Sequence, residues 1–239
     1  VFFLTRTDRE QKEQKVHAVF QKISNDYDKM NDIICFGMHR KWKQDLVNKI
    51  TKQNPLSILD VCCGTGDIAL QLARSNPQAN ICGLDFSGNM LAVAEERKAQ
   101  LNLANIRFQH GNAMALPFDD ASFQCATISF GLRNVPDYEQ VLRELWRILE
   151  PDGMLYCLDS SYPESPFVKP FFKLYFKYIM PAVGHLFSRH KEEYQWLNDS
   201  TEQFLTKNEL RQLLHKVGFR GTAVHAYFLG SAALHRGTK

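Results

Sequence analysis

The run Ile58-Leu59-Asp60-Val61-Cys62-Cys63-Gly64-Thr65-Gly66-Asp67 leaves a folding chain few choices. Ile58, Leu59 and Val61 are strand formers in a short apolar stretch. Gly64 and Gly66 let the backbone turn tightly and approach a ligand closely. Ile68, Leu72 and Ala73 then carry helical spacing until Pro77 stops it. Strand, glycine turn and helix in that order open a βαβ unit.

The alternation continues. Strands are expected at about 57–62, at Asn80 to Asp85, at Ile106 to His110, at Phe123 to Phe130 and at Met154 to Asp159. Ser87 can cap the helix that carries Met90, Leu91 and Ala94 inward. A helix with Val141, Leu142, Leu145 and Leu149 follows Pro136-Asp137, and Pro151-Asp152-Gly153 reads as a turn. Such alternation builds a mostly parallel sheet with helices on both faces. Toward the end, Thr206 and Glu209 form a capping box before Leu210, Leu213, Leu214 and Val217, and Gly218 ends that helix. Two extended runs, about 220–229 and 231–236, meet near Gly230 as an antiparallel hairpin.

The expected organisation is one domain, residues 1–239. Residues 1–54 form an N-terminal helical cap, 55–161 the strand–helix core, 162–200 an aromatic helical insert after the fifth strand, and 201–239 the last helix and hairpin. In the cap, residues 1–14 are polar and expected to fray, Val16, Val19, Phe20 and Ile23 mark one helix face, and Trp42, Leu46 and Ile50 mark another. Between them, Asp26 to Asp32 is rich in hydrogen-bonding groups with Tyr27 and Met30, as a pocket wall would be. In the insert, Lys169, Lys173 and Lys177 recur every four residues among Phe167, Phe171, Phe172, Tyr175 and Phe176. That pattern suits a lid, a dimer mate or an anionic lipid surface.

A net charge of +3 without any basic block argues against nucleic acid. No apolar run is long enough to span a bilayer, and the first four residues lack the basic lead of a signal peptide. The six cysteines form no C-x-x-C pair and read as small buried hydrophobes, so neither a metal site nor a disulfide framework is expected, consistent with a reducing cytoplasm.

In an open α/β sheet the ligand lies beyond the carboxyl ends of the strands. Asp60 ends the first strand, and its negative charge sits poorly beside a pyrophosphate but suits the ammonium of S-adenosylmethionine. Asp85 ends the second and can accept ribose hydroxyls. Asn112 and Ala113 follow the third, where an adenine edge would meet them, and Ser129 ends the fourth, beside a methionine portion.

The runs LDVCCGTGD (Leu59 to Asp67), GLDFS (Gly83 to Ser87) with Asn89-Met90-Leu91, and GNAM (Gly111 to Met114) resemble class I S-adenosylmethionine methyltransferases. TISFGLRNVP (Thr127 to Pro136) resembles the signature of the C-methyltransferases of menaquinone and ubiquinone biosynthesis. Tyr27-Asp28, Phe36-Gly37, Trp42 and the closing Ala233-Leu234-His235-Arg236-Gly237 are similar too, so the likeness runs from about Val16 to the end. It implies a Rossmann-like α/β fold with a seven-stranded sheet and S-adenosylmethionine as cofactor. It implies methylation of a ring carbon of a polyprenylated quinol. HGNAM (His110 to Met114) and Ile179-Met180-Pro181 point to demethylmenaquinol; the ubiquinone-pathway benzoquinol, or another small molecule on the same fold, is the alternative.

Thr65, Asp85, Asn112, Ala113 and Ser129 match the family's cofactor positions; backbone geometry adds Gly64 and Gly66, charge adds Asp60, and Phe86 and Met90 complete the set. The catalytic candidates are Arg133 and Asn134 after the fourth strand, with Tyr27 from the cap and His39 as a second base candidate. Arg133 is too basic to accept a proton and is expected to stabilise a phenolate; its structural alternative is pairing with Asp137 or a helix end. The expected location is cytoplasmic, at the inner face of the membrane where such a substrate resides.

Overall fold

The computed structural model describes residues 16, 32, 37–175, 200–201 and 203–239. The strands are β1 (Ser57–Val61), β2 (Asn80–Asp85), β3 (Ile106–His110), β4 (Phe123–Ser129), β5 (Leu149–Ser160), β6 (Arg220–Tyr227) and β7 (Ala232–Thr238). The helices are α1 (Met38–Thr51), α2 (Asp67–Ser75), α3 (Gly88–Gln100), α4 (Tyr138–Ile148), α5 (Lys169–Leu174) and α6 (Lys207–Val217). The sheet order is β3-β2-β1-β4-β5-β7-β6. The first five strands pair in parallel, and β7 lies antiparallel to both β5 and β6. The chain leaves β1 toward β2 on one side and returns to β4 on the other. The topological switch point therefore falls between β1 and β4, where a crevice opens at the carboxyl ends.

Alternation along the strands divides the core. Leu59, Val61, Leu84, Ile128, Leu155 and Cys157 join one cluster with Val141, Leu142 and Leu145 of α4 and Leu210 and Leu214 of α6. Ile58, Ile81, Cys125, Tyr156 and Leu158 join the other with Leu46, Val47 and Ile50 of α1 and Ile68 and Leu72 of α2. The period of two is what lets five short strands serve two helical layers. Asp60 shares a face with Ile58, so its carboxyl is carried into the α1/α2 layer rather than into water.

The expected caps form. Ser87 accepts from Met90 N, Asp137 from Gln140 N, and Thr206 and Glu209 make the reciprocal capping box. Two strand boundaries differ from expectation. β4 stops at Ser129 because Phe130 turns left-handed, with φ 56°. β5 begins at Leu149, ahead of Pro151-Asp152-Gly153. That turn is a bulge inside the strand: pairing jumps from Phe123–Leu149 to Cys125–Met154 and then resumes, with Asp152 at φ 63°. The two last strands are joined by a short 3-10 turn, Phe228–Gly230. Of the cap, Val16, Asp32 and the segment from Gly37 are described; Tyr27 and the rest of the 17–31 segment lie outside the described residues. So do 176–199, and with them Lys177.

Candidate active site

A cavity opens at the carboxyl ends of β1, β2 and β4. Of the residues expected to hold a cofactor, Gly64, Asp85, Phe86, Met90, Asn112, Ala113 and Ser129 line it. Asn134 joins them from the 3-10 turn Leu132–Asn134 that follows β4, and Val16 of the cap closes part of the wall. Nothing in the residue pattern marks Val16 as more than a core residue.

Each wall residue is positioned by local chemistry. Asp85 ends β2 with both oxygens on main-chain amides: Gly64 N donates to Oδ2 and Ser87 N to Oδ1, each at 2.8 Å. Its carboxylate thus ties the glycine turn to the start of α3. Burial pushes the Asp85 carboxyl up, opposed by those amides. Each oxygen keeps acceptor capacity for a further donor. Asn112 Oδ1 accepts from Met114 N at 2.9 Å, fixing the turn after β3. The loops after β1 and β4 touch: a side chain on Gly131 would meet Cys62 Cβ at 2.5 Å.

Three expected cofactor residues stand off this wall. Asp60 is buried to 1% exposure and turned into the α1/α2 layer, where the backbone of Ala69, in the first turn of α2, hydrogen-bonds it. Burial, with repulsion from Asp85 against the attraction of Lys43, pushes its carboxyl up to about 8. It is therefore largely protonated at neutral pH in the free protein, rather than a carboxylate facing the cavity. Thr65 is buried, and its hydroxyl accepts from Arg97 Nη1 at 3.1 Å. Gly66 has φ 79°, and a side chain there would strike Phe108 Cζ at 2.8 Å and Ala94 Cβ at 3.0 Å. Its glycine is demanded by packing on β3 and α3, whereas a side chain on Gly64 (φ 55°) would meet nothing within 4 Å.

The catalytic candidates separate likewise. Asn134 is on the wall and donates through Nδ2 to Phe130 O at 3.1 Å. Arg133 lies behind it, paired with Asp159 rather than with Asp137, which is occupied as the cap of α4. His39 sits on α1 away from the cavity, its Nε2 3.6 Å from Asp32 Oδ1. Burial first, and the charge of Lys43 second, hold its imidazole below the usual range. Beside it the buried Lys43 Nζ bonds Asp67 Oδ2 at 2.7 Å. Burial alone would raise Asp67, but Lys43 and Gln71 keep it ionised below the usual carboxylate range. Neither Lys43 nor Asp159 was anticipated. The signal for Lys43 was its place three residues before Leu46, on the buried side of an amphipathic helix.

The cavity suits the expected S-adenosylmethionine on two observations. Ser129 Oγ is buried on its edge with no hydrogen-bond partner among the described residues. Open space faces Gly64, and the Asp85 carboxylate stands beside it.

The ubiE/COQ5 methyltransferase family model matches residues 8–239. The chain belongs to this family. It is a methyltransferase on the class I Rossmann-like fold. A demethylmenaquinone methyltransferase of Listeria welshimeri is 45% identical over 231 residues, 96% of this chain and 98% of that protein. One from Shouchella clausii is 47% identical over 229 residues, covering 95% and 97%. Among solved structures, a SAM-dependent methyltransferase from Thermotoga maritima, described as a possible histamine N-methyltransferase, superposes with TM-score 0.63 at 22% identity, covering 93% of this chain and 99% of that one. That likeness is one of fold alone.

Proposed function

We propose that this enzyme methylates a ring carbon of demethylmenaquinol, forming menaquinol, with S-adenosylmethionine as donor. The observation that carries the reading is the near full-length kinship, at 45–47% identity, with demethylmenaquinone methyltransferases. When bound, the donor supplies an electrophilic methyl group on a sulfonium. The residues proposed to hold it are Asp85 for the ribose hydroxyls, Asn112 and Ala113 for the adenine edge, Ser129 and Gly64 for the methionine portion, and Phe86 and Met90 as apolar walls. Asp60, Thr65 and Gly66 act from beneath, by fixing the turn and the start of α2.

The acceptor ring is nucleophilic beside its hydroxyl, and more so as the phenolate. A carbon–carbon bond forms as the carbon–sulfur bond breaks, and the ring then loses a proton to water or a base to regain aromaticity. Arg133 and Asn134 stabilise the phenolate oxygen, and holding the ring in line is worth on the order of several kcal/mol. Tyr27 is proposed as a further catalytic residue, and His39 is proposed to act from α1 as a charge-sensitive support.

The substrate's prenyl tail belongs in a bilayer, and among the described residues no helix is long and apolar enough to cross one. We assign peripheral contact to exposed apolar residues near the carboxyl ends of the strands. Phe228 and Leu229 are 57% and 69% exposed in the β6–β7 turn, and Phe167 and Leu174 are 83% and 53% exposed after β5.

The test is product analysis after incubation with demethylmenaquinol and trideuteromethyl-labelled donor, with a benzoquinol acceptor in parallel. The expected product carries the label on a ring carbon of the naphthoquinol. Transfer to oxygen, or preference for the benzoquinol, contradicts the reading.

A further inference from the structure

The end of β5 holds a carboxylate that the functional reading has not used. Asp159 is 2% exposed, and its oxygens are taken up by one neighbouring turn and its own strand. Oδ1 accepts from Arg133 Nη1 at 2.5 Å and from Ser160 N at 2.8 Å. Oδ2 accepts from the main-chain N of Arg133 at 3.1 Å. The same arginine is thus gripped by side chain and by backbone. Its guanidinium lies 5.7 Å from the centre of the Phe130 ring and is only 4% exposed. On either side of it, Phe130 and Asn134 line the cavity. Tyr138 stands close enough to feel both charges; burial and then Asp159 push its phenol up to about 12, so it stays neutral.

We propose that Asp159 is a positioning residue: it fixes the guanidinium of Arg133 behind the cavity wall and the 3-10 turn that carries Asn134, so that Asn134 meets the acceptor's hydroxyl oxygen on the wall and the charge of Arg133 acts on it from behind. The inference rests on the role given above to Arg133. A buried ion pair adds little to stability that apolar side chains of similar volume would not. What this geometry adds is direction, because a salt bridge to the side chain and a hydrogen bond to the backbone of one residue leave it little freedom. Preoriented charge is effective at an oxygen that gains charge in the transition state, since nothing must reorganise.

The experiment compares the full-length enzyme with Arg133→Gln, Asp159→Asn, Asp159→Glu and the double variant Arg133→Gln/Asp159→Asn. Turnover with demethylmenaquinol is measured beside S-adenosylhomocysteine affinity and melting temperature. Arg133→Gln is expected to lower kcat by about 100-fold or more. Asp159→Asn should lower it by about 10- to 100-fold. Asp159→Glu, which keeps the carboxylate, should recover at least part of that loss. Affinity for S-adenosylhomocysteine should stay within about threefold throughout, because Asp159 is not on the cofactor wall. The double variant should be no slower than Arg133→Gln alone, since groups that act as one unit are not additive.

Full turnover in Asp159→Asn beside an impaired Arg133→Gln overturns this inference alone. Full turnover in Arg133→Gln overturns the catalytic reading of that arginine, and this inference with it. Should Asp159→Asn fail to fold, the comparison of Arg133→Gln with the double variant still decides. A further tenfold loss in the double variant means that Asp159 does not act through Arg133.

Discussion

Asp60 illustrates how the physics of one residue departs from its motif. Its position at the end of β1 was legible from the strand pattern, but its environment was not. Strand alternation carries it toward Lys43 and the start of α2, and that depends on which helices cover which face. Its consequence is a pH dependence. In the folded protein the carboxyl keeps its proton to about pH 8, whereas in the unfolded chain it ionises near the ordinary carboxylate value of about 4. Between those values the folded state binds more protons, so its stability falls as pH rises. Urea unfolding of the cofactor-free protein at pH 5 and pH 8 should show a steeper loss in the natural chain than in Asp60→Asn; equal losses would falsify the protonated state. Asp159 is a second case. Asp159→Ala removes the carboxylate bonded to the buried Arg133 Nη1, which should cost about 3–5 kcal/mol in denaturant unfolding. A cost under about 1 kcal/mol would mean that Arg133 finds another counter-charge.

Among elements, the turn between β1 and α2 separates two roles that its sequence presents alike. Gly64 and Gly66 look equivalent in a glycine motif, because sequence does not reveal which ring lies behind which glycine. The structure puts Phe108 behind Gly66 and open cavity at Gly64. Gly66→Ala should therefore cost about 1–3 kcal/mol of stability through a forced side-chain shift and a strained backbone. Gly64→Ala should cost only about 1–2 kcal/mol for its left-handed backbone, yet weaken S-adenosylhomocysteine binding by tenfold or more. Melting temperature and calorimetric affinity, measured on both variants, check the split. The reverse pattern would show the turn to be misread. The bulge in β5 has a similar lesson: Pro151-Asp152-Gly153 was recognisable as a turn, but its inclusion within a strand follows from pairing with β4 on both sides, a non-local fact.

For the whole molecule, the alternation of strand and helix made the mostly parallel sheet legible, whereas the order of its strands comes from tertiary pairing. The last two strands were visible as a hairpin, while the insertion of β7 between β5 and β6 had to come from tertiary pairing. Seven of the ten expected cofactor residues come together at one cavity because a strand end is both a sequence position and a place in space. The residues that stand behind the wall are those whose contacts come from a different layer. At this scale the exposed turn at Phe228 and Leu229 has its own test. Phe228→Ser/Leu229→Ser should co-sediment less with anionic liposomes while retaining S-adenosylhomocysteine affinity; unchanged co-sedimentation removes that turn from membrane contact.

The central claim is that the crevice between β1 and β4 holds the methyl donor through the Asp85 carboxylate. Calorimetric titration of S-adenosylhomocysteine into the natural protein and into Asp85→Asn tests it most directly. The account predicts one site per chain, weakened about 10- to 100-fold in the variant, as expected for loss of hydrogen bonds to a charged acceptor. Equal affinity in the two folded proteins, or no binding to the natural one, would contradict it.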